Sequence, residues 1–475
     1  MPHVASSLRA VRRALGLWLL LLAVYTAALG IDASPGERWS AREGHELLTA
    51  ESIVSDGDVD LRDEYATAAW RAFGGPPLQP TAGLVDGRLL EPQGIGFPLL
   101  IAPAYALGGA TLVALWLAAL TALGFVFAAA IARRVVPEPW ATRAALVAGL
   151  SPPVVAAATR VSPEMVAGTV LAAATLAALK VREQPRPRWT LSCAAAIAVL
   201  PWLAVSLVPL AAGCAAALAR WLRRRRRGFA AFTAMEVVLF SAVLFVTLTD
   251  RLYGGLTPYA SSLAPGGGIG TDSLAGVLER WPRLVGWWLD RDAGMLRWAP
   301  FAALGFVGLW LLWRSRRDRL AVLVPDQVHV EVVAGFLGAL CATQLVVATF
   351  LAPELNGDWA PARLLLPVVP VGAGLAGWGL RHAPRAGAAL AAVTLAGTAW
   401  LLVAGRLDGG GLQPPAGPMP WGGVEDVLPR FTVPIGSGEA ILLAAVGVAV
   451  AALAAREWRA WHVMRDGAAL RDSLR

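Results

Sequence analysis

Charge is what this sequence has least of. Asp, Glu, Lys and Arg make up 16% of its 475 residues, against 57% hydrophobic residues. A soluble chain of this length is far more polar, so the balance excludes a water-soluble enzyme and implies a polytopic membrane protein. Cysteine is also sparse. Cys193, Cys214 and Cys341 all lie inside apolar segments, which argues against a disulfide framework or a thiolate metal site. No internal repeat is evident. The "GGGIG" run at 266–270 follows no strand and is no nucleotide loop. "HELLT" at 45–49 opens like a zinc-protease motif but has Thr49 where the second histidine belongs. The formal charge of +8 is spread as short Arg clusters beside apolar runs, the positive-inside pattern, and does not mark a nucleic-acid binder.

What is present is a series of apolar segments. The first, 14–31, follows Arg9, Arg12 and Arg13 and reads as a membrane span rather than a cleaved leader. Further spans are expected at 110–132, 141–158, 164–180, 189–203, 204–221, 229–249, 295–313, 328–350, 361–380, 386–404 and 439–455. That makes about twelve transmembrane helices in one all-α polytopic domain. Residues 94–109 are apolar but broken by Pro98 and Pro103, and too short for a core of about 30 Å. They read as a helix at the outer face. Charge then places both termini in the cytoplasm, including the tail 456–475. The loops 32–109, 250–294 and 405–438 face outward.

The first outer loop carries the chemistry-bearing residues. Ser40 followed by Glu43 fits a capping box, with Leu47, Ala50 and Val54 on one face of an amphipathic helix. Glu43 is therefore either a capping carboxylate or a general base at the membrane surface. His45 is either a surface histidine or a contact to phosphate or sugar. Asp56, Asp58, Asp60, Asp63 and Glu64 form an acidic patch without EF-hand spacing. It reads as a solvated loop, with a cation site as the alternative. Glu164 stands at a helix N-terminus, where the dipole favours it, or faces the same cavity as Glu43. Arg291, Arg297 and Arg363 lie at outer span ends. Each either snorkels or holds a lipid-linked phosphate, and Asp358 and Trp359 favour phosphate for Arg363.

Several stretches in this order resemble a known family: "EPQGIGFPLLIAPAYALGG", "GLSPPVV", "RVSPE", "LPW", "LDRDAGMLRWAP" and "DWAPARLLLPVVP". Together they are similar to the GT-C superfamily of membrane glycosyltransferases. The branch is that of protein O-mannosyltransferases, the lipid A aminoarabinose transferase and uncharacterised bacterial relatives. The resemblance implies an inverting transferase that takes sugar from a polyprenyl-phosphate donor. The acceptor would be an envelope glycan, lipid or protein, at the outer face of a bacterial plasma membrane. It places Glu43 on the acidic motif of the first loop, where the family usually has an Asp-Glu pair and this chain has Arg42 before the Glu. Glu164 falls on the second acidic position, and Arg363 on a donor-phosphate contact. No cofactor is implied, a divalent cation staying open. The competing classes are a transporter or flippase, and an inactive homologue that binds carrier lipid.

Overall fold

The structure is a computed structural model that describes residues 2–264, 273–292, 294–317, 325–351, 362–407, 409, 411–412, 427–431 and 436–473. The "GGGIG" run, Asp358, Trp359 and most of the Pro/Gly-rich stretch at 409–423 lie outside these residues.

The chain is a multi-pass, helical membrane protein. Among the described residues, nine helices are long and apolar enough to cross a bilayer, and a bent pair makes a tenth. All twelve expected segments fall on helix, but three are not simple spans. The segment expected at 141–158 is two helices, α5 (Trp140–Gly149) and α6 (Pro152–Ala158), bent by 61° where Pro152 and Pro153 interrupt the ladder. The segment at 189–203 forms a 17-residue helix, Pro187–Leu203. The one at 295–313 is divided between a short turn, Met295–Trp298, and a helix at Ala303–Arg317.

The outer-face helix expected at 94–109 continues into the next span as one element, Gly96–Ala132. The backbone breaks inside it at Gly108 and Gly109, where Gly109 adopts φ +62°. Only glycine takes that conformation at little cost, and the break falls where the expected segment 94–109 meets the span 110–132, while Pro103 lies inside helix.

Small residues bring the spans together. A Cβ at Gly308 would overlap the Leu375 carbonyl oxygen, and one at Gly379 would overlap the Leu304 carbonyl oxygen. The helices Ala303–Arg317 and Val369–His382 therefore touch backbone to backbone. The helix Gly228–Tyr253 instead exposes Phe229, Phe232, Leu239 and Phe240 along its length, an apolar face suited to lipid.

The first loop folds on itself beside the spans. Helix Ala41–Ser55 runs into a turn and the short helix Arg62–Thr67, followed by a hairpin pairing Leu84–Val85 with Arg88–Leu89. Asp86 and Gly87 both have positive φ at its tip, the geometry an Asp-Gly turn supplies. The loop also meets segments of the other two long loops. Gly83 N–H donates to the Ser261 carbonyl at 2.8 Å, and Leu263 N–H to the Thr81 carbonyl at 2.9 Å. Leu412 N–H reaches the Asp32 carbonyl at 2.9 Å.

Candidate active site

The site grows from the start of helix Ala41–Ser55. Ser40 caps it, and Glu43 returns its Oε2 to the Ser40 N–H at 2.9 Å, completing the capping box. The helix is not a half-exposed amphipath. Every residue from Glu43 to Ala50 is buried, because Leu47 and Ala50 pack with Phe97 and Ile101 while Leu48 packs with Leu61 and Leu78. Val54, expected on the buried face, is 41% exposed: the loop has turned away by that point.

Burial puts the polar residues of this helix into a network. Glu43 has a second set of partners across the chain. Its Oε2 pairs with Arg160 at 2.5 Å, and its Oε1 accepts the Val161 N–H at 2.8 Å. Both oxygens are thus spent on the cap and on the turn before helix Pro163–Glu183. Arg42 faces Glu164, at the first turn of that helix, at 3.8 Å. Arg363 reaches the same Glu164 Oε1 through its Nε at 3.2 Å. Glu164 Oε2 is buried and has no hydrogen-bond partner among the described residues. Glu43 and Glu164 are therefore brought to one place, with three arginines interleaved.

Glu46, one turn beyond Glu43, lies within the electrostatic reach of Arg42, Glu164 and Glu91. Burial pushes its carboxyl up to about 8, with Glu164 and Glu91 adding to the shift and Arg42 opposing it. Its Oε2 has no hydrogen-bond partner among the described residues. Sequence reading passed over Glu46, the glutamate of "HELLT", because that motif fails at Thr49.

A third layer lies beside it. Tyr65 O–H donates to Glu91 Oε1 at 2.6 Å, and the Thr81 N–H donates to the same oxygen at 3.2 Å. The Thr81 hydroxyl closes on Glu91 Oε2. His45 Nδ1 lies 2.9 Å from the Tyr65 oxygen. Tyr65 spends its one proton on Glu91, so this contact requires His45 Nδ1 to carry the hydrogen. His45 is 4% exposed and is no surface histidine. Glu91 stood inside a quoted motif but went unremarked, and only the hairpin's return brings it back against His45.

The remaining expected residues lie elsewhere. Arg297 donates to the Arg291 backbone carbonyl, with its guanidinium over the Trp298 ring at 5.2 Å. Asp290 is fully buried and accepts from Phe431 N–H at 2.7 Å, pinning this turn to the segment around Phe431. Met295 and Ala299 on the same turn, with Leu365 and Val368 of the 3-10 turn Arg363–Val368, wall an apolar cavity of about 220 Å³ completed by Trp288 and Phe306. Arg297 and Arg363 thus sit on two turns that border one cavity. In the acidic patch, Asp58 and Asp60 are spent locally. Asp58 takes the Ser52 hydroxyl at 3.3 Å, and Asp60 takes Arg62 and the Leu89 N–H, both at 2.9 Å.

Fold and site together define a multi-pass helical membrane protein whose folded first loop delivers buried carboxylates and arginines to the ends of its spans. No family model and no curated protein matches the sequence. Among solved structures the chain is similar to ArnT from Cupriavidus metallidurans in the apo state. There the identity is 17% and the TM-score 0.48, over 82% of this chain and 62% of that one. It is also similar to the same protein bound to undecaprenyl phosphate, at 17% identity and TM-score 0.44, over 79% and 60%. The chain spans about six-tenths the length of these solved chains. Neither likeness is close enough to carry a residue or an activity across.

Proposed function

We propose that this protein is a GT-C-type glycosyltransferase that moves a sugar from a polyprenyl-phosphate donor to an envelope acceptor at the extracytoplasmic face of a bacterial plasma membrane, with both termini cytoplasmic. The observation that carries the reading is the Arg42–Glu164–Arg363 cluster beside an apolar cavity. Arg363 opens the turn whose Leu365 and Val368 wall that cavity. A cationic fork next to an apolar slot suits an anionic headgroup on a hydrocarbon chain. An engineered apolar cavity of about 150 Å³ holds benzene, so this one suits the first isoprene units of a carrier rather than a whole chain.

The roles divide by which oxygens are spent. Arg363, with Arg291 and Arg297 near the turn that carries Met295 and Ala299, holds the donor phosphate and stabilises the charge it gains as the glycosidic bond breaks. Glu164 offers its unspent Oε2 to the acceptor. The sequence places the base at Glu43, but cap, Arg160 and Val161 occupy both its oxygens, so Glu43 positions the loop on the spans. Proton acceptance falls to Glu46, whose open oxygen and raised pKa suit a general base near neutral pH. His45, through Tyr65, holds Glu91 and the hairpin in place.

The test is transfer of labelled sugar from a panel of polyprenyl-phosphate donors to an envelope extract, using protein in lipid nanodiscs. Glu46→Gln should lower kcat by about 10²-fold or more with donor binding intact, and Arg363→Ala should weaken donor binding. Carrier binding without transfer by wild type, given a competent acceptor, would sink the enzyme reading in favour of a lipid-binding homologue.

A further inference from the structure

Three members of the acidic patch, the buried Glu64 and the exposed Asp56 and Asp63, stand together. One oxygen each from Asp56, Asp63 and Glu64 lies within 4.8 Å of the others. Asp56 caps the C-terminal end of helix Ala41–Ser55, and the other two stand in the first turn of helix Arg62–Thr67. Glu64 is only 3% exposed, yet neither of its oxygens has a hydrogen-bond partner among the described residues. The nearby Ser52 hydroxyl sends its proton to Asp58. By contrast Glu43 and Glu91 are each held by several donors. A buried carboxylate so weakly held, beside two more anions, is costly in free energy. A cation converts that arrangement from a cost into a ligand set.

The geometry points to a binding site for a hard divalent cation, Ca²⁺ before Mg²⁺, formed by Asp56, Asp63 and Glu64. The donors are all carboxylate oxygens, which excludes a preference for soft metals. Two of the three ligands are exposed, leaving room for waters in the irregular shell that Ca²⁺ accepts and Mg²⁺ resists. The ion would join the end of one helix to the start of the next and so set Tyr65, the residue after Glu64, against Glu91 and His45. The site lies at the opposite end of helix Ala41–Ser55 from Arg42 and Glu43, so its role is to position the loop. No step of the proposed transfer passes through it.

The test is thermal unfolding and calorimetric titration of chelator-stripped full-length protein with Ca²⁺ and, separately, Mg²⁺. Wild type should bind one ion and gain about 2 °C or more in Tm at saturation. Without the ion, Glu64→Gln should unfold at a higher temperature than wild type, because the repulsion is gone. At saturation the order should invert, because the variant has lost a ligand. Exposed Asp56→Asn, which leaves the buried packing untouched, should weaken binding about tenfold or more. No binding of either ion by wild type would overturn the proposal. So would an equal ion-dependent shift in wild type and both variants, which would place the ion elsewhere.

Discussion

Arg42 follows the capping serine by two positions, yet its charge is used 122 residues away in sequence, on Glu164. That pairing gives a use to an arginine standing where the resemblance led one to expect an acidic residue. With Arg42 and Arg363 both facing Glu164, and Arg160 on Glu43, the buried carboxylates are met by guanidinium groups rather than left to repel. Removing one partner of such a pair strands the other charge. Arg160→Ala should therefore cost about 3–5 kcal/mol, read as a fall in thermal stability, while Glu43→Gln, which keeps the cap geometry, should cost less. Glu46 makes a different prediction. Well below about pH 4.3 folded and unfolded states both hold its proton, so it contributes no pH dependence. As pH climbs toward 8 the unfolded chain ionises while the folded one keeps the proton, so stability falls through that window. Glu46→Gln should flatten the decline of Tm between about pH 5 and 8. An unchanged slope in this variant would mean that the Glu46 carboxyl is not held protonated.

At the scale of elements, backbone contact is the device that fixes the spans. Gly308 and Gly379 leave no room for a side chain between their two helices. Gly308→Val should destabilise by about 1–3 kcal/mol or more through overpacking. Gly335→Ala, on a helix position with open space around it, should be neutral or stabilising by up to about 1 kcal/mol. Denaturation midpoints in matched detergent would separate the two, and equal midpoints would refute the close contact. Helix Ala41–Ser55 shows why element type was easier to read than element environment. Its capping box was visible in Ser40 and Glu43, but its apolar spacing suggested one buried face. The loop that covers its other side comes from Leu61 and Leu78, whose approach no local pattern announces.

For the whole molecule, the first and second long loops act as one surface. Thr81 holds Glu91 by its side chain and pairs with Leu263 of the second loop by its carbonyl. The cavity next to Arg363 also has a built-in reporter. Cys341 lines it, whereas Cys193 and Cys214 are fully buried among packed helices. A carrier lipid seated there should slow maleimide labelling of Cys341 several-fold, read by mass spectrometry. Labelling indifferent to polyprenyl phosphate would move the lipid site elsewhere.

The sequence by itself determined the helical, membrane-spanning character of the chain. Long apolar runs bounded by arginines have no other stable arrangement in a bilayer, and each was legible from about twenty consecutive residues. It also marked Glu43, Glu164 and Arg363 as residues of one region, through the motifs around them. Only the tertiary structure decided what these groups do to one another. Whether Glu43 is spent or open depends on Arg160 and Val161, and whether Glu46 or Glu91 counts depends on a hairpin that returns from 40 residues downstream. Charge state and open lone pairs follow from burial and from partners distant in sequence, and neither leaves a periodic trace in the chain.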